Sequence, residues 1–183
     1  MYWFLRIILV VTITLIINGC NINDDKIVYK KQNQGNAQKK NDNVELILSE
    51  KTFPSNYDDV VFQRKEVPLH GYIVLKVTDK LNYINTSNLF KFNQEIAEVN
   101  FEDHHVFFIG VTESGSCPYL FEEINISIKR KNMYFELYEH DIPCTADATP
   151  RTFVFKVDKD VSDQINNVII RQSKVETTIP LKE

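Results

Sequence analysis

Ile124-Asn125-Ile126-Ser127-Ile128-Lys129-Arg130-Lys131-Asn132-Met133-Tyr134-Phe135-Glu136-Leu137 is the stretch whose reading decides the fold. Ile124, Ile126 and Ile128 alternate with polar residues, the residues from 129 to 132 make a turn, and Met133, Phe135 and Leu137 resume the alternation. A period of two buries one face and wets the other, so the stretch reads as a β-hairpin laid over a core.

Outward from the hairpin the signals remain those of strands. Val106-Phe107-Phe108-Ile109-Gly110-Val111 is apolar on both faces, as expected of a central strand covered on each side. Tyr72-Ile73-Val74-Leu75-Lys76-Val77 opens after Gly71 and is rich in β-branched residues. On the other side lie Phe153-Val154-Phe155-Lys156-Val157, Val168-Ile169-Ile170 and a last strand over residues 175–179. Helical spacing is confined to two places. Leu89, Phe92 and Ile96 share a face over residues 88–98, with Ser87 or Asn88 as cap, and Val161, Ile165 and Val168 suggest a short turn from Asp160. Residues 44–183 therefore predict one small α+β domain, β-rich, with antiparallel sheets and one or two short helices.

Three cysteines are present. Cys117 and Cys144 bracket the hairpin beyond its open end, and an even pair in an exported domain predicts a disulfide joining the loops around residues 115–118 and 141–147. Two sharper chemistries compete. Cys144 with His140, Asp141 and Asp147 is a candidate metal set, but it lacks the paired ligand spacings of known sites, and a catalytic thiol needs a free cysteine with a base. His104 and His105 are adjacent, so on a strand they point to opposite faces: one exposed and one packed histidine is the expectation. His70 precedes Gly71 in a turn. Arg151 beside Asp147 either forms a recognition surface or, after Pro150 starts a strand, pairs with a nearby carboxylate; the second is favoured.

No Gly-x-Ser-x-Gly, His-Glu-x-x-His or phosphate loop occurs, and five glycines leave little for a nucleotide cradle. Lys and Arg number 21 against 25 Asp and Glu, a net charge of -4 that argues against nucleic acid, whose binding needs concentrated positive charge. No cofactor is implied, and the reading is of a protein that is not an enzyme.

The N-terminus supplies an address. An apolar run over residues 7–17 follows Arg6 and is too short to span a bilayer, which takes about 20 residues. It ends in Ile17-Asn18-Gly19-Cys20, which resembles the lipobox of bacterial lipoproteins. That resemblance implies a signal peptide over residues 1–19, cleavage before Cys20, acylation of the Cys20 sulfur and residence on the outer face of the cell membrane. An uncleaved anchor helix is the alternative, if residues 2–5 extend the apolar run. Residues 20–43 read as the lipidated cysteine and a flexible spacer with a reach of about 25 Å, and residues 44–183 as the extracytoplasmic domain.

From residue 100 onward the chain also resembles the PrcB C-terminal domain family, from a subunit of a bacterial surface protease complex. The features are Asn100-Phe101 before the apolar strand, Gly115, the hairpin, the Pro143 loop, and the strand Phe153 to Val157 with Lys159 after it. The family does not rely on two cysteines, and Ser116-Cys117 stands where it has a glycine pair. The resemblance implies a non-catalytic domain that binds a partner protein, and no active-site residues. The expected function is an anchored protein- or peptide-binding module of the cell envelope, with Tyr119, Asp147 and Arg151 as contacts. The alternative is a lipoprotein binding a small ligand, or zinc or copper through His104 and His105.

Overall fold

The computed structural model describes residues 26–30, 43–138 and 141–181 and confirms a β-rich α+β domain. The stretches read as a signal peptide and a lipobox, with Cys20, and also His140, lie outside the described residues. Two five-stranded sheets stack face to face. The first has the order β1 (Lys26–Lys30), β6 (Leu120–Ser127), β7 (Asn132–Tyr138), β9 (Asn167–Gln172), β10 (Val175–Pro180). The second has the order β2 (Val44–Glu50), β8 (Thr149–Asp158), β5 (His104–Glu113), β4 (Gly71–Val77), β3 (Phe62–Gln63).

The quoted hairpin is β6–β7, antiparallel, with Ile126 opposite Met133 and Ile124 opposite Phe135. Its alternating residues face the second sheet. Ile124, Ile126, Met133, Phe135 and Leu137 pack with Phe107, Ile109, Phe153 and Phe155, and the Phe135 ring meets Phe153 and Phe155 edge-on. Among the described residues all strand pairings are antiparallel but one. β8 lies in the other sheet, so the chain, which forms α1 (Tyr57–Val60) and α2 (Lys80–Phe90) earlier, returns through α3 (Lys159–Ser162) and enters β9 alongside β7 in parallel, Met133 opposite Val168.

β5 is buried on both faces because the second sheet is the middle of three layers. Phe107, Ile109 and Val111 face the first sheet; Val106 and Phe108 face a layer made by α2 (Lys80–Phe90) and the chain after it. Phe108 is fully buried there, stacked on Phe90 at 5.2 Å.

Two expectations need correction. The helix read over residues 88–98 lies earlier, at Lys80–Phe90. Asp79 caps it, accepting from the Asn82 backbone N–H at 2.9 Å, and Lys91 takes a left-handed backbone with φ 49, which ends it. Phe92, Ile96 and Val99 still pack on the core, but from irregular chain, so their three-and-four spacing reflects burial without a helix. The stretch read as a spacer also contains a strand: β1 pairs with β6, Lys26 opposite Ser127 and Lys30 opposite Glu123. Its sequence, Lys-Ile-Val-Tyr-Lys, is short but β-prone, and the outer edge of β6 offers backbone groups in need of partners.

One histidine is packed and its neighbour partly exposed, as the strand parity requires. His105 Nδ1 lies 2.7 Å from the buried Ser162 hydroxyl, while His104 Nε2 lies 3.5 Å from Asp158. Burial and the nearby Lys76 ammonium hold the His105 pKa below its ordinary value.

Candidate binding groove

The disulfide Cys117–Cys144 is formed, with Cα atoms 5.7 Å apart, and it staples the two loops beyond the open end of β6–β7. Around it the expected contact residues are brought together in two separate clusters. Arg151 does not meet Asp147. Its guanidinium pairs with the Glu113 carboxylate, Nη2–Oε1 2.8 Å and Nε–Oε1 3.0 Å, and the Tyr119 backbone N–H donates to the other Glu113 oxygen at 2.8 Å. Tyr119 also accepts from Gln172 Nε2 at 2.9 Å. Glu113 is the residue that reading the sequence missed. The signal was its parity: it follows Phe107, Ile109 and Val111 at a spacing of two, so its carboxylate points inward and requires a cation.

Asp147 serves the loops. It accepts from Thr145, from the Gly115 backbone N–H at 3.0 and 3.1 Å, and from Thr149 at 3.0 Å. A Cβ at residue 115 would collide with this carboxylate, which explains a glycine there. The Thr145 hydroxyl first, then the Gly115 amide and Thr149, pull the Asp147 pKa down to about 2. An ordinary unfolded carboxyl titrates near 4. Because the folded value is the lower, the stabilisation of these loops is complete above about pH 4 and is lost as pH falls through about 2. Hydrogen exchange at the Gly115 amide should lose its protection across that window, and Asp147→Asn should abolish the acid step.

Among the described residues no three His, Cys, Asp or Glu side chains gather as ligands, and Cys144 is held in the disulfide. Ser162, His105 and Asp163 are neighbours, but hydroxyl and carboxylate both approach Nδ1, at 2.7 and 3.4 Å. A proton relay places them on opposite ring nitrogens, and Ser162 is buried.

A groove of another kind lies elsewhere. Between α2 and residues 96–101 runs an open groove of about 580 Å³. One wall is a side of α2, with Tyr83, Ile84 and Ser87; the other carries Ile96, Val99 and Phe101. The Tyr83 hydroxyl donates to the Ala97 carbonyl at 3.0 Å and ties the walls together, its pKa pushed up to about 12 by burial. Tyr83 packs against Phe101 at 5.5 Å and Phe108 at 6.1 Å, so the floor is the layer that covers β5. Leu81 and Ile84 are exposed beside the groove. Among the described residues, no backbone N–H from 94 to 99 donates a hydrogen bond. A second hollow, of about 390 Å³ by Tyr138, holds charges that satisfy one another: Arg171 binds Glu176 at 2.7 Å and Glu136 at 3.4 Å.

No protein-family model, no curated protein and no solved structure matches the chain. Among the described residues no helix is long and apolar enough to cross a membrane.

Proposed function

We propose that the protein is a lipid-anchored, non-catalytic module on the outer face of the cell membrane, and that it holds an extended segment of a protein or peptide. The observation that carries this reading is the makeup of the groove: a helix side that sets Tyr83 and Ile84 among the polar Lys80, Ser87 and Asn88, opposite irregular chain whose backbone N–H groups from 94 to 99 are unbonded among the described residues. An extended peptide supplies carbonyls for such backbone and side chains for the apolar residues of the walls. The anchor rests on Ile17-Asn18-Gly19-Cys20. Two acyl chains on a diacylglyceryl group hold a protein stably where one gives only marginal binding.

This moves the contact surface from Tyr119, Asp147 and Arg151, whose polar groups serve internal bonds, to the walls of the groove. Ile84 is 46% exposed, so Ile84→Glu changes the groove and spares the core. Peptides selected from a random display library against the full chain should bind it and lose at least about tenfold in affinity to Ile84→Glu, near 1.4 kcal/mol. No enrichment, or enriched peptides indifferent to that substitution, counts against the groove.

A further inference from the structure

We infer that the domain stands on the membrane by the end that carries the β6–β7 turn. The disulfide-stapled loops then lie farthest from the bilayer, and the groove lies in the half nearest to it. The inference rests on the lipid anchor proposed above and deepens it, because the strand register settles where the anchored chain enters the fold.

β1 runs antiparallel to β6, with Lys26 opposite Ser127, the last residue before the β6–β7 turn. At that same end Asn132 pairs with Asn167, Val44 with Val157 and His104 with Asp158. The opposite end holds Glu113 beside Thr149, the Cys117–Cys144 bridge, and the β9–β10 turn, where Gln172 meets Val175. Five residues separate Cys20 from Lys26, so the six Cα-to-Cα steps have a contour of at most about 20 Å. β5 and β8 pair over 10 residues each, which sets the two ends about 33 Å apart. An acylated Cys20 therefore holds the turn end close to the lipid and leaves the stapled end a strand's length beyond it.

Two consequences follow for what each end meets. Val67 and Leu69, 86% and 71% exposed between β3 and β4, sit at the distal end, because β4 begins there; they are aimed away from the anchoring bilayer. The groove lies at the near end. α2 follows β4, whose last residue Val77 pairs with Val106, and Phe101 leads directly into β5 at His104. Its occupant is accordingly an extended segment held at the membrane surface, such as the stretch of a membrane protein just outside its spanning helix.

The test uses the full chain acylated at Cys20, with Cys117–Cys144 intact, on phosphatidylcholine–phosphatidylglycerol vesicles containing a headgroup spin-labelled lipid. A fluorophore is placed at Lys129→Cys, in the turn, or at Leu69→Cys, at the stapled end. Quenching at residue 129 should exceed that at residue 69 severalfold. Equal or reversed quenching on protein that floats with the vesicles overturns the orientation and leaves the anchor standing. Wild-type protein that fails to float overturns the anchor, and the orientation with it; Cys20→Ser is the control expected to stay in solution.

Discussion

Phe108→Asp leaves a chain without a cooperative unfolding transition. Phe108 is fully buried between the second sheet and the α2 layer, in contact with Phe90, Phe92 and Tyr83 at centroid distances of 5.2, 6.4 and 6.1 Å. Removing the ring alone costs about 3–5 kcal/mol, and the stranded carboxylate adds several more, against a total stability of about 5–15 kcal/mol for a typical domain. Phe108→Leu keeps an apolar side chain and should cost about 1–2 kcal/mol. Thermal melts followed by circular dichroism decide the matter. A well-folded Phe108→Asp protein means that β5 is not covered on both faces.

The second large effect is that of reducing Cys117–Cys144. The bridge closes a loop with a sequence separation of 27, which in the chain-entropy description stabilises by roughly 3–4 kcal/mol. At about 2–4 °C per kcal/mol for a domain of this size, reductant should lower the melting temperature by about 10 °C. Cys117→Ser should melt with the reduced wild type, because the same constraint is gone. Both cysteines lie in loops outside the strands, so the reduced domain should stay folded near room temperature. Equal melting points with and without reductant refute the staple as a source of stability.

The candidate site was less legible than the fold, and the residues show why. The loop cluster at the cysteines drew attention because Tyr119, Asp147 and Arg151 are polar and close in sequence to the bridge. In the folded chain Arg151 is bound by Glu113, 38 residues away, and Asp147 by Gly115 and two threonines. Polarity in sequence does not distinguish a group offered to a partner from one satisfied internally. The groove had no motif at all. Its walls are α2 and irregular chain whose apolar residues share the spacing of a helix, and the competition between those two readings is decided by the Asp79 cap and the left-handed Lys91.

What the sequence by itself determined is whatever depends on local periodicity and on counting. Alternation placed the β6–β7 hairpin, apolar residues on both faces marked β5 as central, adjacency put His104 and His105 on opposite sides, and two cysteines left beside Cys20 implied the bridge. Only the tertiary structure decided the rest: the parallel β7–β9 pair, the start of α2, the Glu113–Arg151 pair, the strand Lys26–Lys30 and the end at which the chain enters the domain. Each of these depends on partners distant in sequence. A strand at a sheet edge or a buried carboxylate is stabilised by whichever distant group the packing brings against it, and no local pattern names that group.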